Sequence, residues 1–217
     1  MQNHSFSVTL FGASGLVGSQ LLQLLIQHPS CILIQIPVRK SFGLQHPKVR
    51  EVVFSFEPFA YSTLSATNVV VCAVGTTQKK VRGNQIAYRK VDHDIAVHAA
   101  EWAQDCGSRQ FQLISAIGAN ALRGNFYTRL KGEIEDHVRL RTIPQIIIFQ
   151  PSLLIGKRNE TRIAEGIGQL LLPMISFLLP KKYQPIKAEA LALAMIQKME
   201  KATENSNFQI VWQKGNP

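Results

Sequence analysis

The stretch YTRLK places Tyr127 and Lys131 four residues apart, and Ser115 lies twelve residues before the tyrosine. On a helix this spacing brings the phenol and the ammonium to one face. A phenol, with an ordinary pKa of about 10, holds its proton too tightly for easy exchange near neutral pH, and a neighbouring ammonium favours the phenolate. With a serine hydroxyl holding the substrate oxygen, such a pair suits carbonyl reduction. The same spacing is common on solvated helix faces, so its meaning depends on the surrounding elements.

Three glycines in the stretch GASGLVG, Gly12, Gly15 and Gly18, follow an apolar run and precede a Leu-rich helical pattern. A chain that turns sharply out of a strand needs a residue that tolerates positive φ. A pyrophosphate reaches a helix N-terminus only where no side chain blocks it, and a third glycine lets the helix lie close to the strand. Glycines alone are a weak signal, but the strand before them and the helix after them favour a dinucleotide-binding turn.

The end of the second apolar run indicates which dinucleotide would bind. An NAD site places an acid about 20 residues after the glycines, where it binds the ribose 2′-hydroxyl. Here the sequence reads IPVRKS, with Arg39 and Lys40 and no acid. A guanidinium matches a 2′-phosphate in charge and geometry, so Arg39 predicts NADP(H) rather than NAD(H) as the cofactor. Lys40 fits the same role and equally fits a solvated strand end.

The elements that must position these residues alternate along the chain. Strands that are near-continuous in Val, Ile and Leu, separated mostly by helices, indicate a parallel sheet covered on both faces. Right-handed crossovers then give a Rossmann-type doubly wound α/β sheet. We expect one NAD(P)-binding domain over 1–217, in which 151–217 contributes a small C-terminal cap on the substrate side. Strands are predicted at 7–13, 31–39, 49–56, 68–75, 109–118, 144–156 and 207–213, and helices at 14–27, 88–107, 125–141 and 185–199.

The composition narrows the class of protein. The chain has 217 residues, of which 46% are hydrophobic, enough for a sizeable core. A formal net charge of +10 raises the question of nucleic acid, but the 24 Lys and Arg residues are spread along the whole chain. An anionic small molecule accounts for this excess equally well. We therefore expect a small-molecule substrate and no nucleic-acid partner, with a monomer and a homo-oligomer both left open.

Targeting, membrane and metal signals are absent from the sequence. The uncharged apolar stretch 166–180 contains an internal proline and falls short of the roughly 20 residues that span a bilayer. With no leader pattern at the N-terminus, we predict a cytoplasmic protein without an integral membrane segment. The apolar stretch 170–180 fits a buried cap, a subunit contact or a membrane surface. Three scattered cysteines and six histidines without ligand spacing predict reduced thiols and no metal.

The chain resembles the short-chain dehydrogenase/reductase superfamily in the motifs GASGLVG, VVVCAVGTT and YTRLKGEIE. Within it, the chain is similar to the atypical branch typified by the Tat-interacting-protein-like oxidoreductases, over about residues 6–200. The resemblance implies a Rossmann domain that binds NADPH, with Tyr127 and Lys131 as the catalytic pair and Arg39 at the 2′-phosphate. The other positions that it assigns to the cofactor are Gly12, Ser14, Gly15, Leu16 and Val17 at the pyrophosphate and Ala73, Val74 and Gly75 along the adenosine-to-ribose region.

The sequence departs from the pattern of that branch in two places. The paired serines after strand five appear as Ser115-Ala116, and the Arg-Pro after strand six appears as Gln150-Pro151, which removes a charge near the cofactor. Asp92 stands where the wider superfamily often has a structural asparagine. We expect Asp92 to be a solvated acid on its helix.

Two functions agree with these residues. The first is an NADPH-dependent oxidoreductase of the atypical short-chain dehydrogenase/reductase type that reduces a small, apolar carbonyl compound. The second is an NADPH-binding regulatory or assembly protein with little or no turnover. The presence of both Tyr127 and Lys131 favours the enzyme. A nucleotide-sugar epimerase is disfavoured, because only about 60 residues follow Pro151, too few for the usual sugar-binding domain.

Overall fold

A computed structural model of the chain describes residues 5–77, 79, 81–156, 184–201 and 207–211. Within these residues, seven strands form one parallel sheet and two short strands pair separately. In chain order the strands are β1 (Phe6–Phe11), β2 (Cys31–Val38), β3 (Val49–Val53), β4 (Val69–Cys72), β5 (Gln110–Ile114), β6 (Gln145–Phe149), β7 (Leu154–Ile155), β8 (Ile186–Lys187) and β9 (Asn207–Val211).

The order of the large sheet, β3-β2-β1-β4-β5-β6-β9, reverses between β1 and β4. The chain builds outward from β1 to β3, returns to the middle and then builds toward the opposite edge. Val8 of β1 lies opposite Ile34 of β2 on one side and Val69 of β4 on the other. This arrangement confirms the predicted Rossmann-type doubly wound α/β fold. In such sheets, ligands bind outside the carboxyl ends of the strands at the reversal.

Helices cover both faces of the sheet because both faces are apolar. The helices are α1 (Leu16–Gln27), α2 (Gln85–Arg89), α3 (Ile95–Asp105), α4 (Phe126–Arg139) and α5 (Ala188–Glu200), and a π-helical segment, Lys90–Asp94, joins α2 to α3. Successive residues of β4 enter opposite cores: Val71 packs in the core under α1 and α5, and Val70 in the core under α3 and α4. Burial on both sides explains why the strands read as continuous apolar runs.

The predicted strands are all present, although most of them are shorter than predicted. β9 pairs with β6 as the seventh strand of the large sheet, and α5 packs against α1 in the same core. Part of the segment predicted as a cap therefore belongs to the central layers. The apolar stretch 170–180 lies outside the described residues. Of the helices that the structure describes, none combines the length and the apolar composition needed to cross a bilayer.

The segment that connects β5 to α4 passes over α4 itself, and its backbone at Asn120 and Ala121 lies against Gly132. The helix begins after Asn125, whose side chain accepts a hydrogen bond from the backbone N–H of Thr128 (3.0 Å). A Cβ atom at Gly132 would lie 2.1 Å from the backbone nitrogen of Ala121. This glycine therefore lets the connecting chain lie directly on α4, one residue after Lys131.

Replacing Gly132 with alanine should destabilise the fold. Helix propensity alone would favour alanine by about 1 kcal/mol. The close backbone contact opposes this, and forcing an extra methyl into a packed site costs about 1–3 kcal/mol. We expect a lower free energy of unfolding in urea denaturation followed by circular dichroism. Asp136→Ala, on the exposed side of the same helix, is the matched control and should change stability by less than about 0.5 kcal/mol. An equally stable Gly132→Ala would contradict the packing described here.

Candidate active site

Two of the three glycines after β1 are required by packing within the chain. Gly12 has φ +87°, and a Cβ atom there would lie 2.6 Å from the backbone of Ala73 at the end of β4. A Cβ atom at Gly18 would lie 2.1 Å from the carbonyl oxygen of Gly12. The turn therefore lies tightly between α1 and the carboxyl end of β4, which the hydrogen bond from the Ala73 N–H to the Phe11 carbonyl also holds in place (2.9 Å).

The N-terminus of α1 is open to an anion. Gly15 is its N-cap, no side chain caps the helix, and its first turn contains no acid. A Cβ atom at Gly15 would approach no atom of the described chain closer than the Gly12 carbonyl, at 3.1 Å. The first backbone N–H groups of a helix have no intrahelical acceptor and attract phosphate. Ser14 beside them is exposed, Leu16 is half-buried, and Val17 is buried, so Val17 offers only its backbone.

The remaining positions predicted to bind cofactor lie at the same edge of the sheet. Ala73 and Val74 are half-buried and Gly75 is exposed where the chain leaves β4. Arg39 and Lys40 are exposed where it leaves β2. Because β1, β2 and β4 are adjacent and parallel, their carboxyl ends form one continuous rim. A cradle of bare backbone and two cations fits a phosphorylated dinucleotide.

Helix α4 brings Tyr127 and Lys131 together at this rim. The Lys131 ammonium lies 5.9 Å from the centroid of the Tyr127 ring. Lys131 is 4% exposed, whereas Tyr127 is 37% exposed, so the phenol is accessible above a buried cation. Burial is the largest single influence on Lys131 and alone would lower its pKa, but the charge and hydrogen bond of Asp92, together with the charges of Tyr127 and Cys72, outweigh burial and hold the pKa above its ordinary value.

Asp92 is buried, and the prediction of a solvated helix acid is wrong. Its side chain is 1% exposed, and Oδ1 lies 3.1 Å from the Lys131 ammonium. Oδ2 accepts a hydrogen bond from the Thr76 N–H (2.6 Å), and the Tyr88 hydroxyl donates to the Thr76 carbonyl (3.1 Å). The residue lies in the π-helical segment, four residues after the buried Tyr88 and four before the buried Ala96, and so on the inward face. Asp92 thus joins the loop after β4 to α4.

Ser115 lies directly after β5, and its hydroxyl donates a hydrogen bond to the carboxylate of Glu135. The amide of Gln150 donates to both oxygens of the same carboxylate (2.8 and 2.9 Å), and Arg139 contributes a contact of 3.3 Å. All three polar side chains, Ser115, Glu135 and Gln150, are buried. Sequence reasoning missed this network.

Gln150, which follows β6 where the sequence resemblance implies an arginine, has its partner in Glu135. The positive charge that faces Glu135 comes from Arg139, one turn later on α4. The i, i+4 spacing of Glu135 and Arg139 is the one signal in the sequence that indicates this pair.

Comparison with known proteins supports a fold that binds a nicotinamide dinucleotide. Residues 7–103, from β1 into α3, match the family described as "Semialdehyde dehydrogenase, NAD binding domain". "Protein fmp52, mitochondrial" of Aspergillus fumigatus is 33% identical over 168 residues, which cover 74% of this chain and 71% of that protein. The chain belongs to the Fmp52 family. "Protein FMP52, mitochondrial" of Candida albicans is 30% identical over 173 residues, covering 75% of each chain.

Solved structures share the fold of this Fmp52-family chain. MoeE5 in complex with UDP-glucose and NAD aligns with a TM-score of 0.70 and 11% identity, covering 95% of this chain and 76% of MoeE5. A UDP-N-acetylglucosamine 4-epimerase from Methanobrevibacter ruminantium M1 aligns with a TM-score of 0.71 and 13% identity, covering 96% and 77%. At such identities the likeness concerns the fold alone. The match to an NAD-binding domain supports nicotinamide dinucleotide binding, without distinguishing NAD from NADP.

The prediction of a cytoplasmic protein is wrong. The curated Fmp52 relatives from Aspergillus fumigatus, Emericella nidulans and Candida albicans are all named as mitochondrial proteins. That prediction was based on the absence of a leader pattern and of a membrane span, and neither absence specifies a compartment.

Proposed function

We propose that this Fmp52-family chain is an NADP(H)-dependent oxidoreductase that reduces a small, apolar carbonyl compound. The observation that carries the proposal is the accessible Tyr127 phenol above the buried Lys131 ammonium, at the same sheet edge as the uncapped N-terminus of α1. This is the chemistry of the atypical short-chain dehydrogenase/reductases, including the Tat-interacting-protein-like branch that the motifs resemble.

The chain's own backbone would hold most of the cofactor. The N–H groups at the start of α1 would bind the pyrophosphate beside the turn at Gly12, and Gly15 leaves room for its approach. Arg39 and Lys40 would bind the 2′-phosphate of the adenosine half. The remaining residues assigned to the cofactor are Ser14, Leu16, Val17, Ala73, Val74 and Gly75.

Bound NADPH would supply the hydride. Tyr127 would donate its proton to the substrate oxygen, and the Lys131 charge beneath the ring would stabilise the resulting phenolate. Asp92 would keep Lys131 charged and in place. The Ser115 hydroxyl has a single proton to donate, and in the structure it points to Glu135. To hold the substrate oxygen, Ser115 would turn this O–H away from Glu135 and toward the substrate. Residues 151–217 would complete the substrate side.

A direct experiment tests the proposal. Purified protein is titrated with NADPH by fluorescence, and NADPH oxidation is then followed with a panel of small apolar aldehydes and ketones. Saturable binding together with substrate-dependent oxidation supports the oxidoreductase. Binding without oxidation of NADPH by any carbonyl favours the second function, an NADPH-binding regulatory or assembly protein. The engagement of the Ser115 hydroxyl by Glu135 is the observation that favours this alternative.

Replacing Arg39 with alanine should weaken NADPH much more than NADH. Loss of a charged hydrogen-bonding group from a phosphate costs about 1.5–3 kcal/mol, or roughly 10- to 100-fold in Kd. NADH lacks the 2′-phosphate, so its Kd should change less than about twofold. Lys40→Ala is the neighbouring control for a general loss of positive charge. Equal weakening of both nucleotides by Arg39→Ala would show that the arginine does not recognise the 2′-phosphate.

A further inference from the structure

A single carboxylate organises the loop that follows β2. Glu51, on the neighbouring edge strand β3, accepts a hydrogen bond through Oε1 from the Leu44 N–H (2.9 Å) and through Oε2 from the Ser41 hydroxyl. The Gly43 N–H donates in turn to the Ser41 oxygen (3.1 Å), and Gly43 adopts φ +70°. The chain between Arg39 and Leu44 is therefore folded around the Glu51 side chain.

This carboxylate is unusual in its surroundings. Residues 1–50 contain no Asp or Glu, so Glu51 is the first acid of the chain. A carboxylate near the adenosine ribose is the residue type that selects NAD, because it binds the 2′-hydroxyl. Here the oxygens of Glu51 are instead occupied by donors of its own loop.

The hydrogen bonds also keep Glu51 ionised. Its slight burial opposes ionisation, but the Ser41 hydroxyl and the backbone N–H groups of 42–44 outweigh it and hold the pKa below its ordinary value. An ionised carboxylate only accepts hydrogen bonds, so it suits the donors of this loop and not a phosphate.

Arg39 and Lys40 remain available for an anion. Of the four Lys and Arg residues among the first 50, Lys48 donates to the His28 carbonyl (2.8 Å) and Arg50 to the Ser65 hydroxyl (2.9 Å). Within the part of the chain that the structure describes, no acidic side chain pairs with either Arg39 or Lys40.

We infer that Glu51 is a specificity-determining positioning residue: it folds the loop 39–44 so that Arg39 and Lys40 meet a 2′-phosphate, and it thereby selects NADP(H). The inference depends on the proposed function. It assigns to an acid a role opposite to its usual one in dinucleotide sites, since the acid favours the phosphorylated cofactor through the loop that it holds.

The sign of the effect of Glu51→Gln tests this inference. Simple electrostatics predicts that removing a carboxylate near a phosphate strengthens binding of the phosphate. Loss of the loop's acceptor predicts the opposite. We expect NADPH and adenosine 2′,5′-bisphosphate to bind about tenfold more weakly, and NADH and AMP to change less than about twofold. Glu57→Gln removes an exposed carboxylate that contacts Lys90 instead of this loop, and is the matched charge control.

Two further variants distinguish the proposed role of Glu51 from a general effect of the substitution on folding. Ser41→Ala removes only the hydroxyl that links Gly43 to Glu51, and should weaken NADPH in the same direction by about threefold. In an Arg39→Ala background, Glu51→Gln should have no additional effect on NADPH, because the cation that the loop presents is already missing.

The outcomes separate the two proposals. Unchanged or tighter NADPH binding by Glu51→Gln, in a protein whose wild type prefers NADPH, overturns the role of Glu51 and leaves the proposed function intact. So does an equal loss of NADPH and NADH, because it indicates a general disturbance of the site. A wild type that binds NADPH no better than NADH overturns the NADP assignment itself, before any variant is made, and the role of Glu51 with it.

Discussion

Replacing Tyr127 with phenylalanine should lower kcat for carbonyl reduction by roughly two orders of magnitude or more, because a positioned proton donor contributes about 100- to 10,000-fold. The Kd for NADPH should stay within about twofold, since the ring remains and only the hydroxyl is removed. Steady-state kinetics with the best carbonyl of the panel gives kcat, and fluorescence titration gives the Kd. A fall in kcat and kcat/KM by the same factor would place the loss in the transition state.

Tyr61→Phe is the control for this substitution. Its hydroxyl contacts His98 and Glu101, so the same chemical change is made away from the rim of the sheet. Turnover should remain near the wild-type value. If Tyr127→Phe also kept full turnover, the phenol would not be the proton donor, and the oxidoreductase mechanism proposed here would be wrong. If the wild type and Tyr127→Phe both bound NADPH and neither of them oxidised it with a carbonyl substrate, the binding function would be favoured.

The part of the candidate site that is built from backbone, the glycine turn after β1, could be predicted from the sequence for a physical reason. A turn that needs positive φ at Gly12 and close approach at Gly18 admits only glycine, so the requirement is visible in the residue type. Strands buried on both faces show equally plainly as apolar runs. The fold and the positions of Arg39, Tyr127 and Lys131 on it could therefore be predicted.

The side-chain networks could not be predicted, because they depend on contacts between distant residues. Asp92 lies on the same helix face as the buried Tyr88 and Ala96, but its partner Lys131 is 39 residues away in sequence. Glu135 joins Ser115 and Gln150 from two strand ends, and neither partner is near it in sequence. Glu51 lies on the edge strand β3, where an acid is typical of the charges that keep sheet edges from pairing with other chains. The periodicity of a sequence predicts which face of an element is buried, but it does not predict which polar side chains of other elements meet that face.

Replacing Asp92 with asparagine should be among the most destabilising single changes in the protein. The substitution leaves the Lys131 ammonium buried without a counter-charge, and breaking a buried ion pair costs about 3–5 kcal/mol. An asparagine oxygen can still accept the hydrogen bond from the Thr76 N–H, so the loss isolates the charge. Urea denaturation of Asp92→Asn, Lys131→Met and the double variant forms a double-mutant cycle. We expect the double variant to be more stable than the sum of the single losses predicts, by about 2–3 kcal/mol.

The pH dependence of the free energy of unfolding of the same variants tests whether Asp92 acts on Lys131 through its charge. The pKa of Lys131 is raised in the folded protein, so the contribution of the ion pair is fully present below the ordinary lysine value of 10.5 and is lost only as the pH rises through the raised value. Between about pH 6 and 9 this group should add no slope to wild-type stability. In Asp92→Asn, burial without a counter-charge lowers the pKa of Lys131, and the unfolded chain then binds more protons than the folded one. The stability of the variant should therefore rise with pH and approach that of the wild type. Parallel profiles, with additive losses in the cycle, would mean that Asp92 does not hold Lys131 through its charge.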